Sequence, residues 1–228
     1  MGRWSGAYYA PLGLLMTDDS WQTILFDLDG TLTNNAVGIT RCIQHALGSL
    51  DEPVPAADAL HWCIGPPLRD SFVTLLDEAR ADRGLALYRE RYADVGIFEN
   101  EVYPEIEALL TALRDGRKDL FVATSKPAVF AERICERFFG AGAFDGVFGS
   151  GLDGTLADKA ELISFVRQRT GFDPRRSVMV GDRRHDVVGA RANGIVAVGA
   201  LWGFGSPKEL REARADHLIE QPLHFLTL

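Results

Sequence analysis

Four carboxylates stand where apolar runs stop. The run 21–28 closes in Asp27-Leu28-Asp29-Gly30-Thr31, and the run 177–180 closes in Gly181-Asp182, with Asp186 four residues on. A third run, 119–123, ends in Thr124-Ser125-Lys126. Clustered carboxylates raise one another's pKa unless a cation neutralises them. A hard cation with oxygen ligands does this, and Mg²⁺ is typically held by one or two carboxylates plus a substrate phosphate. Asp27 and Asp29 are two apart, so on an extended backbone both point the same way, while Gly30 lets the chain turn towards a ligand. A separation of four puts Asp182 and Asp186 on one helical face. Taken singly, each pattern has an ordinary reading: a turn with exposed acids, or an N-cap with a first-turn charge. Their coincidence at successive strand ends points to one site. Lys159 opens a helix after the loop 149–155, where a cation opposes the macrodipole. It reads either as a solvated lysine or as a cation for phosphoryl oxygens.

Residues 149–154 also match G-x-G-x-x-G. The third glycine should open the helix directly, yet more residues intervene before Lys159. No acid ends a following strand at the required distance, so a dinucleotide site is disfavoured.

These residues need a scaffold that brings strand ends together. Short apolar runs at 21–28, 119–123, 146–148, 177–180 and 195–201 read as buried strands. Helical periods at 105–114, 127–139, 156–170 and 186–192 alternate with them. Pro127 sits just inside one helix start, and Asn193-Gly194 signals another helix end. Alternation implies an α/β fold, a Rossmann-like parallel sheet with helices on both faces, and ligands bind at the carboxyl ends of such strands. The interval 34–102 breaks the rhythm. It carries helical patterns at 37–50, 68–76 and 86–95 but no convincing strand, and it is too long for one crossover. The expected organisation is a core of 21–33 and 103–228, an inserted all-helical domain of 34–102, and an N-terminal extension of 1–20.

The 228 residues carry 24 Lys and Arg against 32 Asp and Glu, a net charge of −8. Such a surface disfavours a nucleic-acid polymer or an anionic membrane as partner and still allows a small anionic substrate in a local cationic pocket. Cys42, Cys63 and Cys135 lack zinc or redox spacing, and five histidines show no metal-ligand spacing. No apolar run is long enough to span a bilayer. The apolar stretch 10–16 is a weak mimic of a signal peptide, broken by Pro11 and Gly13 and without a small-x-small cleavage pattern, so a loosely ordered extension is expected there, with Met16 as an alternative start. A cytoplasmic protein, monomeric or homodimeric, is expected.

In order along the chain, Asp27-Leu28-Asp29-Gly30-Thr31-Leu32, then Thr124, Lys159, and Gly181-Asp182 with Asp186, resemble the four motifs of the haloacid dehalogenase-like hydrolases. The resemblance covers residues 21–205. The helical insert resembles the cap of the phosphoglycolate phosphatase-like branch. Within it, Cys63-Ile64-Gly65-Pro66-Pro67-Leu68-Arg69-Asp70-Ser71-Phe72 looks like a loop of a 5′-nucleotidase-like subgroup. The resemblance implies Asp27 as nucleophile forming an aspartyl-phosphate, and Asp29 as acid and then base. Thr124 and Lys159 would hold the phosphoryl group, with Gly30 and Ser125 beside it. Mg²⁺ would be held by Asp27, the Asp29 carbonyl and Asp182, with Asp186 as ligand or support. The 64–69 loop has two readings, one in which it reaches the site and Arg69 pairs with a substrate anion, and one in which it is an ordinary interhelical turn with a surface arginine. Trp62 and Phe72 have two readings, base stacking or insert core. The expected function is a Mg²⁺-dependent phosphatase acting on a small phosphorylated metabolite, a nucleoside 5′-monophosphate first. The alternatives are a phosphoglycolate phosphatase, a phosphomutase, and a non-catalytic protein that binds a phosphorylated metabolite.

Overall fold

The computed structural model describes residues 21–228. The expected extension 1–20, with Met16, lies outside the described residues. Buried from end to end, β1 (Thr23–Phe26) suits the middle of a parallel sheet covered on both faces. A two-residue strand, β2 (Thr33–Asn34), follows it, and three helices come next: α1 (Ala36–Gly48), α2 (Leu68–Leu75) and α3 (Ala81–Asp94). Strand β3 (Glu101–Val102) then pairs antiparallel with β2. This small ribbon, which periodicity missed because each strand is two residues long, closes the two ends of the helical segment.

The rest alternates as expected: α4 (Ile106–Asp115), β4 (Asp119–Pro127), α5 (Ala128–Phe139), β5 (Gly146–Ser150), α6 (Lys159–Thr170), β6 (Ser177–Gly181), α7 (Arg184–Ala192) and β7 (Val196–Ala200). A short helix α8 (Pro207–Glu212) and an edge strand β8 (His217–Ile219) complete it. The sheet runs β5-β4-β1-β6-β7-β8, and every pairing in it is parallel. Winding reverses at β1, so the carboxyl ends of β4, β1 and β6 open onto one crevice. Register fixes the level: Phe26 lies opposite both Val122 and Val180. Asp27 and Asp182, just past the ends of β1 and β6, therefore lie at nearly the same height as Thr124, which is still within β4.

One apolar cluster runs from the Ile24 and Phe26 side of the sheet through Ile134 to Ile43, Phe72 and Tyr92 of the helical segment. A second, under Leu25 and Met179, packs α6 and α7 on the other face. Cys42, Cys63 and Cys135 are free and buried. Among the described residues, no helix is long and apolar enough to cross a membrane.

Candidate active site

The strand ends at Phe26, so the extended-backbone relation between Asp27 and Asp29 does not hold. Their carboxylates go to different partners. Asp27, Asp182 and Asp186 form one buried group whose carboxylate oxygens lie within 4.8 Å of one another. Asp29 stands outside it and pairs with Lys126 at 2.6 Å. Three carboxylates meet at the strand ends, where four were expected.

Lys159 is the cation of that group. Asp158 caps α6 by accepting from the amides of Ala160 and Glu161, which sets Lys159 at the first helical position. Its side chain passes under α7 at Gly189, where a Cβ would come within 2.7 Å of it. Nζ reaches Asp27 at 2.9 Å and Asp186 at 2.8 Å, and donates to the Ala123 carbonyl. Burial opposes the lysine charge, but Asp186 and Asp27 outweigh it and keep Lys159 protonated. The solvated-lysine reading fails, because Lys159 is 4% exposed.

Among three buried carboxylates, one ammonium reaches two, Asp27 and Asp186. Both oxygens of Asp186 are engaged, Oδ1 by Lys159 and Oδ2 by the Arg183 amide. Asp182 contacts no cation among the described residues. It accepts from the Phe204 amide at 2.7 Å and from the Thr31 hydroxyl at 3.4 Å. Burial, then Asp186 and Asp27, pushes its carboxyl well above the usual range. This all-oxygen donor set with a charge deficit fits a hard divalent cation. The loops are built to bring it close. Gly30 adopts φ +90°, and a Cβ there would sit 2.4 Å from the Asp182 carboxylate. Gly203 packs equally tightly against Asp182 and the Gly30 carbonyl. Trp202 Nε1 donates to the Thr31 carbonyl and ties the loop after β7 to the loop after β1.

A cavity of about 360 Å³ opens above Asp27. Asp29, Thr124, Ser125 and Lys126 line its floor, and Tyr88, Arg89 and Leu68 stand among the residues of its outer wall. Burial raises the Asp29 carboxyl while Lys126 pulls it down, and the net direction is up. Its Oδ1 is buried without a hydrogen bond. Thr124 is buried beside it, its hydroxyl accepting from the Lys126 amide. The Ser125 hydroxyl is spent on the Ala157 carbonyl, which braces the loop leading to Lys159.

Arg69 reaches the cavity lining but is held by Glu78 at 2.7 Å and Asp82 at 2.8 Å, with 41% of its side chain exposed. Phe72 is fully buried against Tyr88, and Trp62 lies on the surface at 43% exposure. Neither of these two lines the cavity. Of the glycine-rich stretch 149–154, Gly149 lies in β5 and residues 150–154 form part of the wall instead of a helix-opening turn.

Sequence reasoning missed Lys126, Arg89 and Arg183. Lys126 sits over the Tyr92 ring, 4.7 Å from its centroid. Arg183 holds Glu209 and donates to the Ile64 carbonyl, joining the loop after β6 to the helical segment. Its signal was present in the run Asp182-Arg183-Arg184-His185-Asp186, but only folding brings Ile64 opposite it.

A family model described as haloacid dehalogenase-like hydrolase matches residues 24–200. A 5′-nucleotidase of Pseudomonas aeruginosa is 44% identical over 199 residues, covering 86% of this chain and 90% of that protein. The tyrosine-protein kinase PtkA of Mycobacterium tuberculosis is 37% identical over 187 residues, covering 82% of this chain and 64% of that one. A solved structure described as a predicted phosphatase from Clostridium acetobutylicum is similar at TM-score 0.87 and 39% identity, covering 92% of this chain and 100% of that one.

Proposed function

The chain belongs to the haloacid dehalogenase-like hydrolase family, and on that footing we propose that it is a Mg²⁺-dependent phosphatase whose substrate is a nucleoside 5′-monophosphate. One observation carries the chemistry: Asp27, braced by the buried Lys159, shares a cavity with the unpartnered oxygen of Asp29.

Asp27 attacks phosphorus, and the bond from phosphorus to the ester oxygen breaks. Asp29, whose carboxyl is raised by burial, gives its proton to the departing oxygen. Water then attacks the aspartyl-phosphate, Asp29 takes its proton back, and phosphate leaves with Asp27 restored. Lys159 orients Asp27 and offers its charge to the phosphoryl oxygens, and Thr124 adds a hydroxyl. Ser125 braces the loop, and Gly30 gives the backbone its close approach. Asp27, Asp182 and the Asp29 carbonyl would hold Mg²⁺, with Asp186 supporting through Lys159. Bound there, the ion would neutralise the repulsion between a carboxylate nucleophile and an anionic phosphate.

The helical segment 34–102 acts in this reading as a cap over the crevice, hinged at the β2–β3 ribbon. Arg183 to Ile64, Arg89 to Leu152 and Arg133 to Ala93 are bonds between the segment and the core. A nucleoside suits a cavity of about 360 Å³ with apolar walls better than glycolate does.

The test is phosphate release with Mg²⁺ and with chelator, from nucleoside 5′-monophosphates, phosphoglycolate and sugar phosphates. Chelator-sensitive release favouring nucleotides, abolished in Asp27→Asn, is expected. Preference for phosphoglycolate overturns the substrate class. Full activity in Asp27→Asn, or transfer from ATP to a protein tyrosine in place of water, overturns the mechanism.

A further inference from the structure

Helix α3 forms one wall of the cavity, and its inner face runs from deep to shallow. Tyr92 marks the deep end, since Lys126 lies against both its ring and Asp29. Asp82 marks the open end, with its side chain 73% exposed. At a rise of ~1.5 Å per residue, Tyr88 and Arg89 stand roughly 5–6 Å outward of Tyr92, and Leu85 about 10 Å outward. A leaving group whose ester oxygen meets Asp29 therefore carries its far end to Arg89 and Leu85.

Three cations line this cavity among the described residues: Arg69, Arg89 and Lys126. Arg69 is neutralised by Glu78 and Asp82, and Lys126 is engaged by Asp29 at 2.6 Å. Arg89 forms no ion pair among the described residues. Its Nη2 donates to a neutral acceptor, the Leu152 carbonyl on the opposite wall, at 2.8 Å. A guanidinium has five donors in a planar fork, so a half-buried arginine with one such bond has recognition capacity to spare. Asp82 and Asp153 line the same outer region. They disfavour a second anion on the substrate and leave neutral acceptors as the fitting partner.

A planar fork matches two adjacent acceptors. Among nucleobases, guanine presents O6 and N7 side by side, and hypoxanthine shares that edge. Adenine sets an amino donor beside N7, and cytosine offers a donor in the corresponding place. Leu68, Leu85 and Pro67 supply apolar sides for a ring. We propose that Arg89 is the base-selecting residue of this site, and that it takes a 6-oxopurine nucleoside 5′-monophosphate, exchanging the Leu152 carbonyl for the O6 and N7 edge of the base. This rests on the phosphatase reading above.

The experiment compares kcat/KM for GMP, IMP, AMP and ribose 5-phosphate in the wild type, Arg89→Ala and Arg89→Lys. The wild type should prefer GMP and IMP over AMP by about 5- to 150-fold, the range of one bidentate pair. In Arg89→Ala that ratio should collapse towards one, chiefly through KM. The ratio of GMP to ribose 5-phosphate should fall with it. Arg89→Lys keeps the charge but loses the fork, and should lose most of the preference. Equal losses on all four substrates would make Arg89 a brace for the wall and overturn the proposal. So would a wild type without base preference.

Binding separates this from the catalytic reading. Calorimetry on Asp27→Asn reads GMP against AMP without turnover. Tighter GMP binding that is lost on adding Arg89→Ala upholds base selection even where no phosphate is released. Equal affinities overturn it even where the phosphatase reading stands.

Discussion

Gly30→Ala tests whether the loop after β1 is shaped to hold Asp182. Gly30 has φ +90°, a region costly for any residue with a Cβ, by about 1–2 kcal/mol. The new Cβ would lie 2.4, 2.7 and 2.8 Å from Oδ2, Cγ and Oδ1 of Asp182. Ordinary contact begins near 3.4 Å, so the carboxylate must retreat by about 1 Å. That breaks its 2.7 Å bond from the Phe204 amide, a charge-assisted bond of roughly 1.5–3 kcal/mol. The total, about 2.5–5 kcal/mol, corresponds to a fall in Tm of roughly 5–20 °C for a chain of this length. Gly171→Ala is the control. It shares the left-handed backbone, φ +72°, but has open space within 4 Å. Its loss should stop near the strain alone, about 2–8 °C. Thermal melting of both variants isolates the Asp182 contribution. A displacement near 1 Å at a reacting centre costs on the order of 10²-fold in rate, so phosphate release should fall that far in Gly30→Ala, with a higher Mg²⁺ concentration for half-activation. Melting that coincides with Gly171→Ala, together with an unchanged Mg²⁺ titration, would refute the reasoning.

Arg69→Ala should change KM less than twofold for every substrate, because its guanidinium is already committed to Glu78 and Asp82. A larger shift in steady-state KM would return it to the recognition role that sequence left open. Gly38→Ala should lower the urea midpoint by a loss of about 1–3 kcal/mol or more, since its Cβ would meet the Gly96 carbonyl at 2.2 Å and the Glu99 carbonyl at 2.9 Å, backbone atoms that cannot rotate away. Glu99→Gln should destabilise at neutral pH and less so in acid. The Arg91 guanidinium beside Glu99, with Arg41, holds its carboxyl below the ordinary 4.5. That stabilisation is complete above the unfolded value and is lost as pH falls through the lower folded value. Denaturation curves of wild type and variant should converge across that window.

Much of this protein is decided by local rules. Apolar runs ended by Asp-Gly and Gly-Asp mark strand ends, because a buried parallel strand needs continuous hydrophobicity and its exit needs polar or flexible residues, whereas β4 continues through Thr124-Ser125-Lys126 to Pro127. Alternation with helical periods then orders those ends along one edge of a sheet. From these, the approach of Asp27, Thr124, Asp182 and Asp186 to one edge could be read without coordinates, whereas Lys159, which spacing leaves open as a solvated lysine, joins them only through the family resemblance. The side on which each charge finds its partner could not be read. Asp29 turns to Lys126 because the strand stops at Phe26 and the chain leaves the sheet, which no alternation rule encodes. Arg69 and Arg89 look alike in sequence, both basic and both on helices of the segment 34–102. Packing gives Arg69 two carboxylates and leaves Arg89 on a carbonyl across the cavity. Charge compensation is a property of distances between residues far apart in the chain, so composition fixes how many charges exist and only the folded arrangement decides which one is left for a ligand.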